Sequence, residues 1–287
     1  MGRRHPDWLK VKIGSGKEYV KMKKLLRKSK LHTICEEAKC PNISECFESG
    51  TAVFLILGNI CTRNCKYCNV KHGIPVALNK NEPKDIADSV KQLSLRYVVI
   101  TSVTRDDLSD GGASVFYDTI NEIKKLNLEC KIEILIPDFK GNIKSLQNVI
   151  KAKPDVVNHN IEVVEDLFSN IRPEGNYKIS LELLGNIKKI DPNCITKSGF
   201  MIGIGETKEQ IVKTMHDLVE KNVDFLTIGQ YLQPSKNHVE IKRYYTPKEF
   251  EEFRKIALDF GFKYVESGPL VRSSYHAEKA LSIITSN

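Results

Sequence analysis

The chain has 287 residues, 41% of them hydrophobic and 28% charged, which is enough to bury a substantial core and too apolar for a disordered chain. Its longest apolar run, residues 52–58, is far short of the ~20 residues that a membrane-spanning helix needs, and no signal-type apolar stretch follows the basic start "MGRRHPDWLKVK". A formal net charge of +8 fits either a solvated surface or an acidic partner, nucleic acid or protein.

Near the N-terminus, "KMKKLLRKSK" (residues 21–30) reads either as a basic run or as one face of a helix, with Met22, Leu25, Leu26 and Leu31 on the other face. From Thr51 onward, short apolar runs alternate with amphipathic stretches. Strands are expected at residues 52–58, 96–102, 131–138, 155–162, 198–206 and 224–232, several of them apolar throughout, as in a buried parallel sheet. Pro83 opens a helix with Ile86, Val90 and Leu93 on one face. Thr207 with Gln210, and Thr246 with Glu249, are capping boxes that start two more. Six strand–helix units predict an α/β fold, a partial (β/α)6 TIM-like barrel whose chemistry sits at the C-terminal ends of its strands. The pattern changes at both ends. The expected organisation is an N-terminal extension (1–50), the barrel (51–262) and a C-terminal extension (263–287), with both extensions over the barrel mouth.

There are eight cysteines, and with no secretory signal their clustering points to metal or redox chemistry rather than disulfides. Cys61, Cys65 and Cys68 follow the first strand as C-x3-C-x2-C; Cys35, Cys40 and Cys46 lie upstream as C-x4-C-x5-C. Zinc prefers four protein ligands, often as two C-x2-C pairs, and neither triplet has that spacing. Three thiolates on one tight loop suit three irons of a [4Fe–4S] cluster, with the fourth open to a small molecule. Cys130 and Cys194 read as small buried hydrophobes.

The C-x3-C-x2-C loop, with Tyr67 just before its third cysteine, resembles the radical S-adenosylmethionine (SAM) superfamily. With C-x4-C-x5-C upstream and "VRSSYHA" (residues 271–277) downstream, the chain resembles the lipoyl synthase family specifically. "LHTICEEAKCPNISEC", "TSVTRDDLSDGGA", "LIPDF", "NHNIE", "KSGFMIGIGET", "GQYLQPS" and "SGPLVRSSYHA" extend the likeness over residues 6 to 277. Two positions depart from the family pattern: Phe47 stands where Trp is frequent, and Val115 where His is common.

The resemblance implies two [4Fe–4S] clusters. One, on Cys61, Cys65 and Cys68, would bind SAM as cosubstrate. The other, on Cys35, Cys40, Cys46 and the Ser274 hydroxyl, would donate sulfur. The residues alone would have read "RSSY" as a polar turn. The implied activity is radical insertion of two sulfurs at C6 and C8 of an octanoyl chain held on a protein lysine. SAM contacts are expected from Thr101, Ser102, Asp107, Asn158, Asn160, Glu162 and Arg172, the last pairing the SAM carboxylate. Gly203 and Gly205 would allow close approach to the cofactor or form a bulge. His159 and His276 are expected to have surface or hydrogen-bonding roles, and Arg272 to steady the Ser274 loop.

Implied partners are an octanoylated carrier domain (glycine cleavage H protein or the E2 lipoyl domain of a 2-oxoacid dehydrogenase), an electron donor such as ferredoxin or flavodoxin, and an iron–sulfur carrier that rebuilds the donor cluster. Neither nucleic acid nor membrane is expected. The implied location is the cytoplasm, or an organelle matrix if a transit segment was trimmed. The rival readings are a biotin synthase-like enzyme, a tRNA methylthiotransferase-like enzyme and a zinc-stapled binding module.

Overall fold

The computed structural model describes residues 6–11, 16–29, 31–48, 51–127, 129–277 and 279. Helix α1 (Lys17–Lys28), strand β1 (His32–Thr33) and the short helices α2 (Ile34–Glu37) and α3 (Ile43–Glu48) precede the first long strand, β2 (Val53–Ile56). A small ribbon, β3 (Ile60–Cys61) with β4 (Lys71–His72), leads to α4 (Glu82–Gln92). Strands and helices then alternate: β5 (Tyr97–Ser102), α5 (Ala113–Leu126), β6 (Lys131–Leu135), α6 (Ile143–Lys151) and β7 (Val156–Asn158). Next come α7 (Glu165–Ile171), α8 (Tyr177–Ile190), β8 (Ile195–Ile202), α9 (Lys208–Glu220), β9 (Phe225–Gln230), α10 (Pro247–Asp259) and β10 (Tyr264–Gly268).

The main sheet runs β1-β2-β5-β6-β7-β8-β9-β10. Every pairing from β2 to β10 is parallel, and only the short edge strand β1 runs antiparallel. Consecutive parallel strands joined by helices are the βαβ pattern that winds a barrel. Among the described residues β1 and β10 do not pair, so this is a partial TIM-like barrel open between its edges. The six expected strands are all present. A seventh parallel strand, β10, lies in the stretch read as a C-terminal extension; only Val265 in it is buried, so no apolar run announces it.

Helix starts follow the local chemistry. Thr207 and Gln210 close a capping box on α9, and Thr246 and Glu249 close one on α10. Helix α4 buries Ile86 and Val90 against the sheet, and α1 buries Met22 and Leu26. Cys130 and Cys194 are buried.

Four neighbouring strands are joined by a buried polar group. Lys197 Nζ donates to both oxygens of Glu133, at 3.0 and 3.1 Å, and is 2% exposed. The Tyr97 hydroxyl (2.7 Å) and the Asn158 amide (3.1 Å) donate to the same carboxylate. Each oxygen of Glu133 is therefore satisfied, which is the condition for a buried pair not to destabilise.

Candidate active site

The C-terminal ends of the strands open into a cavity of about 540 Å³. All six clustered cysteines line it: Cys35, Cys40 and Cys46 from the N-terminal segment, and Cys61, Cys65 and Cys68 from the loop after β2. Ser274 lines it as well, from the segment after β10.

The Cys61 loop is fixed from several sides. Leu57 (φ +69°) and Gly58 (φ +85°) turn the chain out of β2. The backbone N–H groups of Thr104 and Arg63 point at the Cys61 sulfur, at 3.3 and 3.4 Å. Thr62 pairs with Thr104 through backbone and hydroxyl. Lys66 N–H donates to the Ile171 carbonyl, and His238 Nε2 sits 3.0 Å from the Cys68 carbonyl. The Arg63 guanidinium forks onto two carboxylates, Asp106 (2.7 and 3.0 Å) and Asp138 (2.6 and 2.7 Å). Such bidentate, charge-assisted bonds are the strong, orienting kind. Burial opposes the charge on Asp138, but Arg63 overcomes it and holds the carboxyl down at about 2. An Arg inside the cysteine loop, with Asp106 in "TRDD" and Asp138 in "IPD", was the available signal for this anchor, and sequence reasoning gave Arg63 no role.

The upstream triplet is built differently. Thr33 caps α2, which carries Cys35; Cys40 follows it, its N–H bonded to the Cys35 carbonyl; Cys46 lies on α3. The Asn42 amide donates 2.7 Å to the Leu270 carbonyl, and the Tyr275 hydroxyl donates 3.1 Å to Glu45. Ser273 Oγ receives the Asn160 amide at 2.5 Å. Gly229 makes this crossing feasible, because a Cβ there would meet the Val271 carbonyl oxygen at 2.2 Å. Arg272 is half-buried beside Cys40.

The donor set fits clusters better than single ions. Four sulfurs around one zinc at ~2.3 Å lie ~4 Å apart. Among the described residues, the group of three His, Cys, Asp or Glu ligand atoms within 4.8 Å of one another is His216, Asp217 and Glu220, on the exposed surface of α9. Neither cysteine triplet is gathered that closely, so neither is closed around a single ion; a cubane, with a separate iron for each sulfur, would accept the wider spacing. Burial pushes the thiols of Cys35, Cys46 and Cys68 up to about 12 and raises Cys40 and Cys65. A metal bound at these thiols would have to displace their protons.

Beside the thiols lies a polar wall. Thr101, Ser102, Asn160, Glu162 and Arg172 line the cavity, together with His159. Ser102 Oγ, Asn160 Oδ1, His159 Nε2 and Arg172 Nε are buried with no hydrogen-bond partner among the described residues. A group of polar atoms left unpaired around a cavity is suited to a polar occupant. Arg172 stacks 4.9 Å over Phe168 and donates to the Asn160 and Ile161 carbonyls. Burial holds the Glu162 carboxyl above its ordinary range, against Arg172 and the Tyr67 hydroxyl. His159 is buried and its pKa falls to about 4, by burial and then by Arg172. Its Nδ1 lies 2.8 Å from the Ile136 carbonyl, so that nitrogen carries the proton and Nε2 is left as an acceptor.

Two of the expected SAM residues lie away from the cavity. Asp107 is clamped by Arg105 at 2.8 Å and its side chain is 40% exposed. Asn158 donates its amide to Glu133, in the buried polar group below. Gly203 (φ +109°) and Gly205 (φ +126°) do not line the cavity either; with Ile204 they form a turn whose three N–H groups converge on the Glu206 carboxylate.

Residues 55–218 match the Radical SAM superfamily, and residues 2–40 match the N-terminal domain of lipoyl synthase of the radical SAM family. The lipoyl synthase of Rubrobacter xylanophilus is 53% identical over 96% of this chain and 85% of its own length. That of Caldicellulosiruptor bescii is 53% identical over 97% of this chain and 96% of its own. The chain belongs to the lipoyl synthase family. It is an enzyme, and membership implies a [4Fe–4S] cluster and SAM. Solved structures agree on the fold. Methylornithine synthase superposes with a TM-score of 0.57 at 12% identity, over 88% of this chain and 83% of that one. A maturase of the [FeFe]-hydrogenase does so with 0.57 at 13%, over 91% and 77%.

Proposed function

We propose that this lipoyl synthase family member inserts two sulfurs at C6 and C8 of an octanoyl group carried on a protein lysine, using both cysteine triplets. The observation that carries the reading is that all six clustered thiols and Ser274 line one cavity. When bound, SAM and the cluster on Cys61, Cys65 and Cys68 supply a hydrogen-abstracting radical, and the second cluster supplies the sulfur.

The chain's own residues do the rest. Arg63, anchored by Asp106 and Asp138, holds the cysteine loop in register with the strand ends. Thr101, Ser102, Asn160, Glu162 and Arg172 would bind SAM, with His159 Nε2 and Asn160 Oδ1 able to accept from its donor groups and Arg172 able to supply a cation for its carboxylate. Cys35, Cys40 and Cys46 would hold the donor cluster, with Ser274 as its fourth ligand. An oxygen ligand is a poor match for a sulfur-rich iron site, so it is easily released. The segments carrying Cys40–Cys46 and Val271–Tyr275 line the cavity and, once the octanoyl chain is seated, would help exclude water from it.

The substrate is an octanoylated carrier domain, either the glycine cleavage H protein or an E2 lipoyl domain. A ferredoxin or flavodoxin supplies electrons, an iron–sulfur carrier rebuilds the donor cluster, and the work is done in the cytoplasm. The test is anaerobic reconstitution with iron and sulfide, followed by SAM, dithionite and an octanoyl-lysine peptide. The peptide should exchange two hydrogens for two sulfurs. An unchanged peptide from a protein holding both clusters would overturn the reading.

A further inference from the structure

The loop after the Cys61 triplet has an unusual surface. Ile74 is 93% exposed, Val76 67% and Leu78 36%. Three exposed apolar side chains within five residues suit a contact surface. They are flanked by basic groups: Lys71 and Lys80 are exposed and have no ion-pair partner among the described residues, and His72 is exposed too. Between Asn59 and Asn81 there is no Asp or Glu. The loop is thus apolar at its tip, basic at its ends, and carries no acidic side chain of its own.

Its position is as informative as its composition. β4 pairs with β3, so Lys71 stands opposite Ile60 and His72 opposite Cys61. The Gly73 N–H donates 2.9 Å to the carbonyl of Cys61. One peptide therefore separates the exposed tip from a backbone group bonded to a proposed cluster ligand. Yet residues 71–80 contribute nothing to the cavity wall, which ends on this side at Asn69 and Val70. A partner seated on the tip comes close to the Cys61 loop from outside and does not reach the cavity mouth.

We propose that the Lys71–Lys80 loop is the docking surface for a small acidic one-electron carrier protein. The inference rests on the reading given under Proposed function and deepens it. A protein delivering an octanoyl chain must face the open cavity, whereas an electron donor needs only closeness to the thiol-bound cluster, which this patch provides. The charge pattern steers an acidic partner, and a small apolar tip gives the weak, transient contact that suits a redox encounter. Each SAM cleaved to methionine and a 5′-deoxyadenosyl radical takes up one electron, so the carrier leaves oxidised by one electron.

The experiment uses full-length, cluster-loaded protein with two double variants, Ile74→Asp/Val76→Asp and Lys71→Glu/Lys80→Glu. The probes are an acidic flavodoxin and an acidic ferredoxin. Binding is followed anaerobically by biolayer interferometry, with iron content and melting temperature matched to the parent protein. Both variants should weaken binding of at least one probe tenfold or more, and the lysine pair should also flatten its salt dependence. Formation of 5′-deoxyadenosine driven by that probe should fall in parallel, while the dithionite-driven rate stays unchanged. If neither probe binds the parent protein, or binding in both variants stays within twofold of it, the proposal is wrong. If dithionite-driven turnover of an octanoylated carrier domain falls instead, the loop docks the substrate carrier, and the proposal is equally overturned. Loop-dependent probe binding in a protein that makes no 5′-deoxyadenosine with dithionite would uphold the docking surface and sink the sulfur-insertion reading.

Discussion

The two thiol triplets share one cavity but are held in different ways. The Cys61 loop is bound to the barrel through backbone N–H groups aimed at a sulfur, Thr62, and the Arg63 fork on Asp106 and Asp138. The Cys35 triplet lies on two short helices and is tied to the C-terminal segment by single hydrogen bonds, Asn42 to Leu270 and Tyr275 to Glu45. One site is braced by a buried ion-pair network and the other is assembled from two chain segments. That difference matches the proposed division of labour: a cluster that must survive every turnover, and one that must be dismantled and rebuilt.

The largest effects are expected at the ligands. Cys61→Ala/Cys65→Ala/Cys68→Ala should bring 5′-deoxyadenosine below detection while about half of the iron stays bound, about four of eight. Cys35→Ala/Cys40→Ala/Cys46→Ala should keep the other half and still cleave SAM, but transfer no sulfur to the peptide. If either triple variant loses all its iron while remaining folded, the sites are not independent.

Arg63→Met comes next. It strands the buried carboxylate of Asp138 and the half-buried one of Asp106, and should cost about 3–5 kcal/mol in urea unfolding. A loss below about 1 kcal/mol would mean that the fork does not brace the loop. Ser274 sharpens the contrast at smaller effect. Ser274→Ala should lower donor-site iron, whereas Ser274→Cys should retain it and slow sulfur transfer, because a thiolate is released less readily than an oxygen. Equal peptide yields from Ser274→Cys and the parent protein would remove Ser274 from the account. Smallest of all, Asn42→Ala removes one hydrogen bond, about 0.5–1.5 kcal/mol. It should speed iron loss from the donor site measured with a chelator and leave the Cys61 site unaffected.

What could be read in the sequence was local. Apolar runs, capping boxes and cysteine spacings each sit within a few residues, so the six strands, α9, α10 and both triplets were legible. β10 was not, because "YVESG" has a single buried side chain. Glu133 and Lys197 look like surface charges until two strands bring them together. Asp107 follows a strand end as a SAM contact should, but Arg105, two residues away, captures it. Asn158 is likewise taken up elsewhere: its amide donates to Glu133 below the cavity, while its neighbours His159 and Asn160, past the end of β7, line it. Arg63 was missed because its partners lie 43 and 75 residues away.

The most direct measurement is iron retained after a single turnover. Fully loaded protein is mixed with SAM, dithionite and one equivalent of octanoyl-lysine peptide, passed through a desalting column, and its iron counted and typed by Mössbauer spectroscopy. The peptide should carry two added sulfurs and the protein should have lost about half of its iron, with the Cys61 cluster intact. A fully thiolated peptide from a protein that keeps all its iron would contradict the proposed sulfur donor, because the sulfur would then have come from somewhere other than the Cys35–Cys40–Cys46 site.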